Sequence, residues 1–166
     1  MNARSRKSKK LSGGSGHSRP QPEDLVLYLD ENLCNSSAIL EALRNLEVRF
    51  ERHLSHFPRG TPDETWLPMV GKNGWVLITA DKKMRYNLLE RRALEVNSVR
   101  EFVFASGNMS GQEMATALKF GLRKMQRMCR RFPPRCCDHP NWRESLALAE
   151  IEISCSACCS DFHRCR

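Results

Sequence analysis

Two short apolar runs, each leading into an aspartate, constrain what this chain can fold into more than anything else in it. Leu25-Val26-Leu27-Tyr28-Leu29 runs straight into Asp30, and Trp75-Val76-Leu77-Ile78-Thr79 reaches Asp81 two residues later. A strand with one face in water alternates apolar and polar residues. A strand that is apolar throughout is buried on both faces, as in a parallel sheet covered by helices. In such a sheet all carboxyl ends emerge along one edge, which is where open α/β sheets carry their sites. The two aspartates, 51 residues apart in the chain, are therefore expected to be neighbours in space.

The segments between and after these runs supply the helices that such a sheet needs. Ser36 or Ser37 can cap a helix with Ile39, Leu40, Leu43 and Leu46 on one face, and Glu47 to Arg52 alternates through Val48 and Phe50 as a second strand. After a loop from His53 to Gly60 comes Thr61-Pro62-Asp63-Glu64, which has Thr at N-cap, Pro at N1 and Glu at N3 of a capping box. That helix is expected to run through Trp66 and Met69 until Asn73-Gly74 stops it. A helix from about Asn87 to Val96 and a strand from Glu101 to Ala105 follow. Ser110 and Glu113 form a second capping box. It opens a helix that carries Met114, Leu118, Leu122, Met125 and Phe132 toward the core and ends at Pro133-Pro134. Strands alternating with helices predict an α/β fold with a mostly parallel sheet covered on both faces.

Asp63 and Glu64 begin the helix after the second strand, so they too arrive at the edge that carries Asp30 and Asp81. Carboxylates gathered there repel one another unless a cation neutralises them. Oxygen donors without Cys or His suit Mg²⁺ or Mn²⁺. Such an ion activates water and polarises a phosphodiester. Each acid also has a plainer role open to it. Glu64 completes a capping box, Asp63 favours the dipole of a first helical turn, and Glu31 is expected to point away from Asp30. Asn32 either orients a ligand or caps the next helix.

LYLDENL, then PRGTPDETWLPMVGKNGWVLITADKKMR, then FVFASGNMSGQE closely resemble PIN-like domain proteins, including the bacterial group related to VapC-type toxins. The resemblance covers roughly residues 25 to 132. It implies a three-layer α/β/α sandwich and Mg²⁺- or Mn²⁺-dependent cleavage of RNA. By motif, the family's acids fall on Asp30 in LDEN, Asp63 in TPDE and Asp81 in ITAD, with Glu64 standing in for Asp63 if the register differs by one. An antitoxin partner and a homodimer are further implications of the resemblance alone. Many relatives carry a second acid after the third motif, in a T-x-D-x-D pattern; here Lys83 occupies that place. Two readings stay open: a weakened metal site in an active ribonuclease, or a non-catalytic PIN-like module that binds RNA or regulates. Lys82, Lys83 and Arg85 are candidates for phosphate contact.

The net charge of +8 is uneven. Six positive charges and no acid lie in residues 1–22, beside a Gly- and Ser-rich stretch that has little to bury. Residues 1–23 are thus expected to be a disordered basic arm, 24–135 the PIN-like domain, and 136–166 a cysteine-rich tail that is poorly ordered or atypical. On the last helix Lys119, Arg123, Arg127 and Arg130 share one side, opposite the Met and Leu stripe. A solvated helix face usually mixes both signs; this one, with hardly any acid, is suited to an RNA backbone or to docking an acidic partner protein. Seven of the eight cysteines lie at or beyond Cys129. Cys155-Ser156-Ala157-Cys158 is half of a zinc site, but adjacent Cys136-Cys137 make a poor second half. Leu148, Ile151 and Ile153 alternate as a final strand would. No apolar run approaches the ~18 residues of a membrane helix, and no apolar stretch follows the basic start. No membrane span is therefore expected, and the expected compartment is cytoplasmic.

Overall fold

The computed structural model describes residues 25–81, 87–104, 108–131 and 151–154. The basic arm, Lys82, Lys83, Arg85, Phe132 and most of the cysteine-rich tail lie outside the described residues. Five strands form one sheet in the order β2-β1-β3-β4-β5. They are β1 (Val26–Leu29), β2 (Arg49–Arg52), β3 (Val76–Thr79), β4 (Arg100–Phe104) and β5 (Ile151–Ser154). The first four are parallel, and β5 closes one edge antiparallel to β4, with Ile153 opposite Phe102. The alternation read around Ile151 and Ile153 is therefore a strand. The helices are α1 (Ser37–Asn45), α2 (His53–His56), α3 (Asp63–Lys72), α4 (Leu88–Val96) and α5 (Gly111–Arg131).

The continuous apolar runs have the physical cause expected of them: both faces of the sheet are covered. Alternate residues of β1, β3 and β4 (Leu27, Leu29, Val76, Ile78, Phe102 and Phe104) pack with Ile39, Leu40 and Leu43 of α1 and Leu118 and Met125 of α5. The intervening Tyr28 and Leu77 point to the opposite layer, against Trp66, Leu67 and Val70 of α3 and Leu94 of α4. The result is an α/β/α sandwich with a four-stranded parallel core. Among the described residues no helix is long and apolar enough to cross a membrane.

Two glycines stand where neighbouring helices within each layer approach closely. A Cβ on Gly71 in α3 would stand 2.0 Å from the Asn97 carbonyl oxygen at the end of α4. One on Gly111, the first residue of α5, would stand 2.8 Å from Ser36 Oγ at the start of α1. The Gly71 contact, made to backbone, needs a residue with no side chain, whereas Ser36 Oγ can rotate aside.

Several local expectations are corrected. The loop after β2 contains the single turn α2, too short to show periodicity. The capping box at Thr61 does not form. Helix α3 starts one residue later, with Pro62 at N-cap and no side-chain cap. The Thr61 hydroxyl instead donates to the Pro58 carbonyl at 2.7 Å, closing the turn before the helix. Ser36 occupies the N-cap of α1, but its hydroxyl accepts no capping bond. The second capping box is present: the Ser110 N–H donates to Glu113 Oε2 at 2.7 Å, and the Glu113 N–H donates back to Ser110 Oγ at 3.3 Å.

Candidate active site

The carboxyl ends of β1 and β3 lie side by side, and one buried hydroxyl joins them. The Asp30 N–H extends the ladder by donating to the Ile78 carbonyl at 3.1 Å. Thr79, the last residue of β3, is fully buried. Its hydroxyl donates to Asp30 Oδ2 at 3.0 Å and accepts from the Asp81 N–H at 2.9 Å. The other carboxylate oxygen of Asp30 accepts from the Glu31 N–H at 2.6 Å. Burial pushes the Asp30 carboxyl above its ordinary value and Asp81 repels it further, while the bonds from Thr79 and Glu31, and then His53, act in the opposite direction. Desolvation wins.

Asp63 reaches this edge from the first turn of α3. Its carboxylate is half-buried and accepts from Trp66 Nε1–H at 3.1 Å. Burial, followed by the negative charges of Glu90 and Asp30, raises it from 3.8 to about 6, against the lowering effect of the Trp66 bond. Glu90 was not anticipated by sequence reasoning. It lies in the first turn of α4, where Asn87 caps the helix and donates to Glu90 Oε1 at 2.6 Å. The available signal was positional: α4, like α3, begins at the carboxyl edge, so an acid in its first turn arrives at the same place.

His53 was also missed. It follows the last residue of β2 and is 1% exposed, with Nδ1 sharing a 3.1 Å hydrogen bond with the Tyr28 hydroxyl. Its Nε2 has no hydrogen-bond partner among the described residues. The ring stands edge-on to Trp66 at 5.5 Å, and Tyr28 stacks on Trp66 at 5.4 Å. Through its bond to Trp66, Asp63 is tied to this aromatic group.

Two neighbouring acids are committed elsewhere. Glu31 accepts from the Gly60 N–H at 2.7 Å and faces Arg59 at 3.6 Å, so it fastens the loop before α3 and points away from Asp30 as expected. Glu113 is engaged by Ser110. Glu64 is exposed, and its charge is the weakest of the influences on Asp63. With the capping box absent, the reason for ranking it below Asp63 changes: Asp63 is the half-buried member of the pair. On α5, Lys119, Arg123, Arg127 and Arg130 are all exposed, and none pairs with an acid among the described residues.

The family described as PIN like domain matches residues 25–106, the stretch that holds β1 through β4 and Asp30, Asp63, Glu64, Asp81 and Glu90. This chain carries a PIN-like domain. Domains of this family are generally nucleases, bind nucleic acid and typically depend on divalent metal. Helix α5 from Gly111 onward lies beyond the matched residues. No curated protein and no solved structure is significantly similar to the chain.

The PIN-like domain's edge fits a hard divalent cation by the chemistry of its donors. They are all carboxylate oxygens, and two of the groups, Asp30 and Asp63, are held above their ordinary pKa by burial and by neighbouring acids. No group of three His, Cys, Asp or Glu among the described residues is close enough to enclose an ion. Mg²⁺, however, usually keeps several waters and binds through one or two carboxylates plus substrate phosphate.

Proposed function

We propose that this PIN-like domain is a Mg²⁺- or Mn²⁺-dependent ribonuclease of toxin type, cleaving internal phosphodiesters. The observation that carries the reading is the Asp30–Thr79–Asp81 bridge, with Asp63 near enough to be perturbed by Asp30. Asp30 and Asp81 are the proposed metal ligands, and Asp63 completes the site or positions the attacking water. The bound ion would lower the pKa of a water and neutralise charge developing on the phosphate. Thr79 holds the two ligand-bearing strand ends in register. Trp66 fixes one oxygen of Asp63, so the other is left for the water. A carboxyl raised to about 6 is well matched to taking up a proton near neutral pH. Lys82, Lys83 and Arg85, with Lys119, Arg123, Arg127 and Arg130, are the proposed contacts to the RNA backbone. A cytoplasmic location, an antitoxin partner and a homodimer belong to the same reading.

The test is hydrolysis of mixed RNA with Mg²⁺, with Mn²⁺ and with chelator, comparing wild type with Asp81→Asn. Metal-dependent cleavage that the substitution abolishes is the expected result; equal cleavage by both proteins rules the site out. Lys83, standing where many relatives carry a second acid, favours one second reading, a PIN-like module that binds RNA without cutting it. Calorimetric titration with Mn²⁺ separates the two, because absence of binding at millimolar metal supports the second.

A further inference from the structure

We propose that the outer face of α5 is a track for single-stranded RNA on which Phe120 is a base-stacking platform. The inference rests on the nucleic-acid reading above but not on catalysis. After Glu113, residues 114–131 of α5 contain six Lys and Arg and no acid. In the middle of them stands Phe120, 78% exposed, while Leu118, Leu122 and Met125 of the same helix are buried. At about 100° per residue, Arg123 and Lys124 lie one turn on from Phe120, and Arg127 two turns on, along the same side. The ring therefore projects from the centre of the cationic face, away from the core, and packs with neither hydrophobic cluster.

The pairing of cations with one protruding aromatic selects its occupant. Lys119, Arg123, Arg127 and Arg130 attract phosphates of any sequence and any strandedness. Phe120 adds a flat apolar surface that needs the open face of a base. A duplex keeps its base faces inside the stack, whereas an unpaired strand can lay a base on the ring. A second copy of this chain is a poor occupant, since a symmetric contact would set two single-sign cationic faces against each other.

The test uses the full chain in chelator, so that binding is read without hydrolysis. Its ligands are a labelled single-stranded RNA of about 12 nucleotides and the duplex of the same sequence. Phe120→Ala is expected to weaken single-strand binding about tenfold, leave duplex binding and the salt dependence unchanged, and be rescued by Phe120→Trp. Arg123→Ala with Arg127→Ala is expected to weaken both ligands and to flatten the single-strand salt slope by about 1.4. An unchanged melting temperature of Phe120→Ala accompanies either outcome, because the ring is exposed and packs in neither hydrophobic cluster. Single-strand affinity within about twofold of wild type, or an equal loss on the duplex, overturns the proposal. So does a dimer that Phe120→Ala dissociates with RNA affinity intact, which would make Phe120 a protein contact. Binding that follows this pattern in a protein that never cleaves RNA refutes the nuclease reading alone.

Discussion

Asp63→Asn offers the sharpest test of the site, because it should make the protein more stable and less active at once. Burial and the charges of Glu90 and Asp30 raise the Asp63 carboxyl from 3.8 to about 6. The folded state thus holds this proton more tightly than the unfolded chain does. The stabilising contribution of the bound proton is fully present below about pH 4 and is lost as pH rises through about 6. At pH 7.5 the wild type therefore carries an unfavourable buried charge that asparagine removes, while Asn Oδ1 can still accept from Trp66. A tenfold change in a protonation equilibrium is about 1.4 kcal/mol, which gives roughly 3 kcal/mol without screening. Asp63 is only half-buried, so solvent screening reduces this to about 1–1.5 kcal/mol, or about 5 °C in melting temperature. The assay is a series of thermal melts in chelator from pH 3.5 to 7.5. The stabilisation should be largest at pH 7.5 and vanish near pH 3.5, and RNA cleavage by the variant with metal should be lost. A variant less stable at pH 7.5, or one whose advantage is the same at every pH, refutes the electrostatic account of the cluster.

Three further outcomes follow from the same geometry. Thr79→Val keeps the shape of the side chain but leaves Asp30 Oδ2 and the Asp81 N–H without their shared partner, so Mn²⁺ affinity by calorimetry should fall about ten- to a hundredfold. Glu64→Gln should change cleavage by no more than about twofold, because Glu64 is exposed and its capping role is absent; a loss matching that of Asp63→Asn would reverse their ranking. Gly71→Ala should destabilise by about 3 kcal/mol in denaturant titration, since the new Cβ would stand 2.0 Å from the Asn97 carbonyl oxygen. Helix propensity alone predicts a gain of about 1 kcal/mol from that change, so the sign decides.

Asp30 and Asp81 were legible because their signal is local: an apolar run buried on both faces must end, and an acid at its end marks the carboxyl edge. The same logic delivered the layers and even β5, through the alternation of Ile151 and Ile153. What escaped was whatever depends on a partner remote in sequence. Thr79 read as the last residue of a strand, yet its hydroxyl meets a carboxylate 49 residues away. Trp66 read only as a residue of the helix; it is core, and its ring N–H also orients Asp63. His53 opened what looked like a loop, and only the pairing of Leu29 with Arg52 brings it beside the end of β1. The missed start of α3 has a different cause. Thr61 could serve either the helix behind it or the turn before it, and the Pro58 carbonyl took the hydroxyl.

The distribution of charge, more than any one residue, sets the order of events in the proposed reaction. The acids at the carboxyl edge repel a phosphodiester, while the cationic outer face of α5 is the proposed RNA track. With no cation at the edge, RNA should therefore bind along α5 and stay clear of Asp30 and Asp81. Neutralising those acids removes the barrier, so Asp30→Asn with Asp81→Asn should bind RNA at least as tightly as wild type does in chelator, while cutting none of it. Equilibrium binding with the full chain measures this directly. If the doubly neutralised protein bound RNA several-fold more weakly, the acids would be organising the RNA surface itself, and the separation of a cationic track from an acidic cutting edge would be wrong.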